Sequence, residues 1–216
     1  MMTKVAVFGS GQVGEALANG LVKHGYSVMR ASRSPEKLEA WQANQGPGVS
    51  IGSPTEAAKF GELLVLAVKG GAAEAAIDLC GPDNLAGKVV IDATNPLADA
   101  PPENGVLKFF TNLDESLMER LQRKAPQAHF VKAFSCVGNA MMVDPDFGNI
   151  KPSMFICGNH SAAKEKVVEI LHKFGWEVED MGGVEAARAI EPLCMLWCIP
   201  GFKRNSWTHA FKLLKK

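Results

Sequence analysis

The chain lacks an excess of either charge: 23 Lys and Arg are matched by 23 Asp and Glu. It therefore offers no basic surface for nucleic acid and no lysine-rich run to hold a membrane surface. No apolar stretch approaches the ~20 residues that a membrane span needs. The first apolar run, residues 5–8, is too short for a signal peptide and ends in glycine. The five cysteines, at 80, 136, 157, 194 and 198, have no framework spacing. Scattered and odd in number, they are expected as reduced thiols of a cytoplasmic protein. Cys194 and Cys198 stand four apart. Burial as small apolar residues is the expectation there, rather than a metal or redox pair. Internal repeats and low-complexity segments are also missing. What remains is an ordinary globular composition, long enough at 216 residues for one α/β domain and a modest extension.

The chain is organised around a glycine turn near its start. Residues 4–8 read as a short buried strand, and residues 13–24 as a helix with apolar Val13, Ala16, Leu17 and Leu21 at helical spacing. Between them, Gly9, Gly11 and Gly14 fit G-x-G-x-x-G, with a strand before and a helix after. In that setting Gly9 permits the tight turn and Gly11 lets the backbone approach a pyrophosphate. Gly14 lets helix and strand pack closely. Ser10, Gln12 and Val13 complete the loop, whose helix N-terminus offers unpaired N–H groups to phosphate. The plain alternative is a glycine-rich corner with no ligand.

A second absence decides which nucleotide is expected. Dinucleotide folds that prefer NAD place Asp or Glu about 20 residues beyond the glycines, to bind the ribose hydroxyls. Here the second strand ends in Ser32 and Arg33, and no acid precedes Glu36. Lys37 lies one helical turn further on. An arginine fork, a lysine point charge and a hydroxyl suit the 2′-phosphate of NADP. The same turn also reads as a helix cap, with Ser34 before Pro35. The two readings are compatible.

Downstream, strands and helices alternate through residues 88–92, including the near-continuous apolar run 62–68 expected of a buried parallel strand. That alternation implies a Rossmann-type, doubly wound parallel sheet with ligands at the carboxyl ends of its strands. Residues 1–140 are expected to form this nucleotide-binding domain. Residues 141–216 are expected as a smaller α/β extension that closes the acceptor cleft. In the extension a helix is expected over 184–197, bent or divided at Pro192, and a short amphipathic tail helix over 207–214.

At this point the sequence resembles a known family. The segments that carry the resemblance are Val-Phe-Gly9-Ser-Gly11-Gln-Val-Gly14, Ala31-Ser32-Arg33, Asp92-Ala-Thr-Asn95-Pro96-Leu, Val131-Lys132-Ala133-Phe134 and Gly183-Val-Glu185-Ala-Ala-Arg188-Ala-Ile-Glu191-Pro192-Leu. Together they resemble the NADPH-dependent coenzyme F420 reductases, which are similar to the NADPH-oxidising domain of STEAP metalloreductases. The resemblance implies a pyrophosphate on residues 9–13 and a 2′-phosphate on Ser32, Arg33 and Lys37. It also implies a nicotinamide near Val68-Lys69, Asn95-Pro96 and Ala133-Phe134, with a flavin or deazaflavin ring such as coenzyme F420 stacked on it. Two departures stand out. Ser135 replaces the family's usual Asn, and Arg30 interrupts a strand that is normally apolar. Arg30 either adds charge near the adenosine end or snorkels.

No general acid or base is placed by the sequence. Lys132, His129 and His160 are expected as surface or strand-end residues, and Arg188 and Glu191 as an i,i+3 pair or Glu191 as a buried cap. No metal site is expected. The absence of a placed acid suits hydride transfer between stacked rings, which depends on distance and orientation. Ala133, Phe134, Val137, Leu193, Met195 and Trp197 are the expected apolar walls. The other readings are an NADPH-dependent reductase of an imine or carbonyl, as in pyrroline carboxylate reductases, and a non-catalytic NADP-binding redox sensor. The apolar stretch 193–202 is expected to support a homodimer.

Overall fold

The computed structural model describes residues 2–216. In chain order these residues form β1 (Lys4–Phe8), α1 (Gln12–Lys23), β2 (Ser27–Ala31), α2 (Glu39–Ala43), β3 (Val49–Gly52), α3 (Pro54–Phe60), β4 (Leu63–Leu66) and α4 (Ala73–Cys80). Then come β5 (Val89–Asp92), α5 (Leu117–Lys124), β6 (His129–Lys132), β7 (Ser153–Ile156), α6 (Ser161–Lys173), β8 (Glu177–Asp180), α7 (Ala187–Ile190) and α8 (Pro192–Arg204). The first six strands make one parallel sheet in the order β3-β2-β1-β4-β5-β6. This is the doubly wound Rossmann arrangement. The strand order reverses between β1 and β4, so the crevice for a ligand opens at their carboxyl ends.

Alternate side chains of each strand feed opposite faces of the sheet. Val5, Val7, Val65 and Ile91 enter one core, and Ala6, Leu64, Leu66 and Val90 enter the other. Such double burial explains why β4 and β5 read as unbroken apolar runs. Two helices start at reciprocal caps. Ser53 with Glu56 opens α3, and Ser116 with Glu119 opens α5.

Strands β7 and β8 pair in parallel as a separate small sheet. It joins the main one where the Lys132 N–H donates to the Cys157 carbonyl at 3.0 Å. Met154, Ile156 and Trp176 of the C-terminal part share one hydrophobic core with Val131 and Ala133. The change of sheet falls between β6 and β7, within a continuous core.

The C-terminal segment departs from expectation. Pro192 does divide the helical region, but α8 continues through Pro200 to Arg204 and ends at Asn205 in the left-handed conformation. The expected helix over 207–214 is not formed. The tail instead runs alongside β7, where the Ser153 N–H donates to the Phe211 carbonyl at 2.9 Å and the Leu213 N–H donates to Ser153 Oγ at 3.1 Å. Trp207 lies against Gly201, whose missing side chain leaves room for the indole. Unpaired strand edge and an aromatic seat outweigh the weak helical preference of eight residues.

Candidate functional site

A cleft of about 560 Å³ opens at the carboxyl ends of β1, β4 and β5. Its floor is the turn from β1 to α1. Gly9 sits at φ +140°, and a Cβ there would lie 2.2 Å from the Ala67 carbonyl oxygen, so only glycine fits. Gly14 lies behind the cleft, where a Cβ would stand 2.6 Å from the Gly9 oxygen. At Gly11, by contrast, a Cβ would meet nothing within 4 Å. The space above Gly11 belongs to the cleft. Gly11 caps α1 without any side-chain hydrogen bond, so the first N–H groups of the helix remain available to an anion.

Arg30 braces this turn from behind. It is 1% exposed, with Nε donating to the Gly9 carbonyl at 3.1 Å and Nη2 to the Gly11 carbonyl at 2.9 Å. Glu15 lies 3.3 Å from Nη1, and the guanidinium stacks 5.1 Å from the Trp41 ring. Burial pulls the Arg30 pKa below its usual value, with Glu15 acting against that pull. Two loop carbonyls are thereby kept occupied, away from the position where a phosphate would be repelled by them. Arg30 does not snorkel, and it shares with Lys37 and Ser10 the hollow beside the cleft. It is a buried support, and its charge-assisted bonds explain why this strand interior tolerates an arginine.

Of the sequence-predicted residues, Gly9, Ser10, Gly11, Gln12, Val13, Arg33, Val68, Lys69 and Asn95 line the cleft together. Ser32 is not part of that lining, and its Oγ accepts from the Ser34 N–H at 3.2 Å. Lys37 lines a neighbouring hollow of about 450 Å³ that shares Ser10 with the cleft and also holds Arg30 and Trp41. Pro96 is buried just behind Asn95, against Gly70. Ala133 is fully buried and lies off the cleft lining. The expected apolar walls follow it. Phe134 packs on Phe174 in the core, and Trp197 packs against Gly138.

The sequence missed the most heavily buried polar cluster. Lys132, expected near the surface, is fully buried. Its Nζ reaches Asp92 Oδ2 at 2.8 Å, the Thr94 carbonyl at 2.7 Å and Glu191 Oε1 at 2.9 Å. Asp92 Oδ1 accepts from Thr94 N–H at 2.9 Å and Thr94 Oγ1 at 2.6 Å. Glu191 also caps α5, accepting from the Leu117 and Met118 N–H groups at 3.0 Å each. Burial alone would lower the Lys132 pKa, but the two carboxylates outweigh it and hold the pKa above the usual lysine value. The expected Arg188–Glu191 pair is not formed, because Glu191 turns inward to Lys132 and α5. Arg188 pairs with Glu119 instead. A signal was available: Asp92 and Lys132 occupy paired positions at the ends of adjacent apolar strands.

Known proteins share this architecture. A sequence profile of the family described as "NADP oxidoreductase coenzyme F420-dependent" matches residues 4–96. A solved structure from Arthrobacter sp. FB24, provisionally designated an F420-dependent NADP reductase, superposes with a TM-score of 0.90 at 30% identity, covering 98% of this chain and 99% of that one. The chain belongs to this family of NADP oxidoreductases. Metalloreductase STEAP3 of Rattus norvegicus is 31% identical over 204 residues, which is 91% of this chain and 38% of that protein. Human metalloreductase STEAP2 is 25% identical over 190 residues. The chain spans 38% and 35% of the length of these two relatives. An imine reductase from Aspergillus terreus shares the fold at 17% identity and a TM-score of 0.67, covering 94% of this chain and 63% of that one.

The residues of the cleft fit such a nucleotide. Open space over Gly11 admits a pyrophosphate, uncapped N–H groups face it, and Arg33 supplies a cation at the rim with no carboxylate among the lining residues. Among the described residues no helix is long and apolar enough to cross a membrane. No group of three or more potential metal ligands occurs among them either.

Proposed function

We propose that this chain binds NADPH along the cleft and serves transfer of its hydride to a flavin or deazaflavin ring of the coenzyme F420 type. The observation that carries the reading is the cleft itself: an open glycine turn at one end, Arg33 beside it, and Val68, Lys69 and Asn95 at the ends of the next strands. The first N–H groups of α1 hold the pyrophosphate, and Arg33 with Ser32 takes the 2′-phosphate. Lys37 approaches that phosphate from the adjoining hollow. When bound, the nicotinamide supplies the hydride. The protein supplies position, since ring-to-ring transfer needs contact near 3–3.5 Å rather than a proton relay.

Lys132 does not serve as an acid in this reading, because Asp92, Glu191 and the Thr94 carbonyl already take its protons. Arg33 and Lys69 are the ionisable groups in the cleft lining. The family profile and the end-to-end match to the Arthrobacter protein support an F420-type acceptor. Exposed Leu196 and Phe202 on α8 support pairing of two copies, which sedimentation tests directly.

A turnover screen tests the acceptor. NADPH is supplied with FMN, FAD, coenzyme F420, ferric chelates and cyclic imines in parallel. Steady oxidation with the ring acceptors is expected. Turnover only with an imine selects the carbonyl or imine reductase. Tight NADPH binding with no turnover in any arm selects a redox sensor.

A further inference from the structure

The five cysteines are not equivalent. Cys80, Cys136, Cys157 and Cys194 are buried, whereas Cys198 is only half-buried, against the expectation of full burial. Burial pushes the Cys80, Cys136 and Cys157 thiols up to about 12, so they stay protonated and unreactive. Cys194 is raised further, by its hydrogen bond to Cys198 and then by burial. Cys198 moves the other way. The hydrogen bond from Cys194 draws its pKa below the usual thiol value and outweighs its partial burial.

The pairing follows from α8. Residues four apart on a helix stand one above the other, with about 5–6 Å between Cβ atoms. Cys194 takes the buried position, where charge is penalised, so it keeps its proton and serves as the donor. A disulfide needs Cβ atoms about 3.5–4.5 Å apart. The pair therefore does not close on itself while α8 keeps its turn. Its spacing suits one donor and one reactive sulfur. Cys198 also stands where added bulk would be felt. Trp197, beside it in the chain, packs against Gly138 of the loop after β6. The Trp197 indole N–H donates to the His209 carbonyl at 2.8 Å, and His209 Nε2 lies 2.9 Å from the Trp197 carbonyl. This turn of α8 thus holds both that loop and the C-terminal tail.

We infer that Cys198 is a modification site for small hydroperoxides, with Cys194 as its positioning residue. The Cys198 sulfur attacks one peroxide oxygen, forming an S–O bond as the O–O bond breaks. Sulfur loses two electrons and becomes the sulfenic acid. The peroxide is reduced, and its departing oxygen takes up the thiol's proton and leaves as water. The single-thiol product persists, because helical spacing keeps Cys194 from resolving it. This inference is independent of what the cleft binds.

The test labels the folded, full-length protein briefly with iodoacetamide across a range of pH, and reads each cysteine by peptide mass spectrometry. Near neutral pH, Cys198 is expected to react at least about tenfold faster than any other cysteine. Cys194→Ala removes the donor, so the midpoint of the Cys198 rate–pH curve should move to higher pH. Cys194→Ser keeps a donor and should leave that midpoint near its wild-type position. Exposure alone would make Cys198 label fast but would not move the midpoint. With hydrogen peroxide and dimedone, the wild type should gain one dimedone, on Cys198. Labelling of Cys198 no faster than the others, or an unmoved midpoint in folded Cys194→Ala, overturns the inference. So does a Cys194–Cys198 disulfide, or the absence of any dimedone adduct, after peroxide. The wild-type arms decide the matter where Cys194→Ala fails to fold.

Discussion

The Nζ of Lys132 lies 2.8 Å from Oδ2 of Asp92, across neighbouring strands, with both side chains completely buried. Glu191 completes the cluster from the junction of α7 and α8. One cation thus faces two carboxylates, and the α5 N–H groups on Glu191 relieve the imbalance. Taking away the cation leaves two buried negative charges. Lys132→Met should therefore destabilise the fold by about 3–5 kcal/mol. Urea unfolding at neutral pH measures this, and a loss below about 1 kcal/mol would show that the cluster is not a structural tie. Where the variant remains folded, hydride transfer should fall only modestly, since the lysine's protons are committed elsewhere.

The three glycines of the first turn should separate cleanly. A Cβ at Gly11 would meet nothing within 4 Å, so for Gly11→Val circular dichroism should show a native fold while NADPH binding disappears. Gly14→Val drives a side chain into the Gly9 backbone and should lower stability instead. Undiminished NADPH binding by Gly11→Val would make the turn a purely structural corner.

Arg33 should govern the choice between nucleotides. A charge-assisted hydrogen bond is worth about 1.5–3 kcal/mol, and two of them to a 2′-phosphate give roughly 10²–10⁴ in preference for NADPH over NADH. Arg33→Ala should remove a tenfold to hundredfold share of that preference while leaving NADH affinity nearly unchanged. Titration of both nucleotides against both proteins checks it. Equal wild-type affinities would contradict the assignment.

Acid should expose the Glu119 pair. The Arg188 guanidinium, with help from Ser116, holds the Glu119 carboxyl down at about 2, below its ordinary 4.5. A depressed folded-state pKa contributes stability above the unfolded pKa, and that contribution drains away as pH falls through the folded one. Wild-type stability should therefore drop between about pH 4.5 and pH 2. Glu119→Gln should be less stable at neutral pH and lose less over that interval, by urea midpoints taken across it. Parallel curves for the two proteins would show that the pair contributes nothing.

Much of this could be read from the chain because it is local. G-x-G-x-x-G, the unbroken apolar strands and the Ser-Arg end of β2 each express a requirement met within a few residues. Nine of the residues expected at the nucleotide do line one cleft. What escaped was set by tertiary contacts. Lys132 looked peripheral because its carboxylate partners are 40 and 59 positions away, one of them beyond the whole of β7, α6 and β8. Arg30 looked misplaced because its acceptors are backbone carbonyls, which composition does not display. The tail lost its expected helix to hydrogen bonds with Ser153, a partner 58 positions earlier.

Single-turnover stopped flow tests the central claim most directly: NADPH carrying deuterium at C4 is mixed with the protein and coenzyme F420 or FMN, and reduction of the ring is followed. The account predicts that the ring is reduced, that deuterium slows the step, and that Lys69→Met retains most of the rate because no side-chain acid is needed. Failure to reduce either ring, together with reduction of an imine or carbonyl that collapses a thousandfold in Lys69→Met, about 4 kcal/mol of transition-state stabilisation, would contradict it.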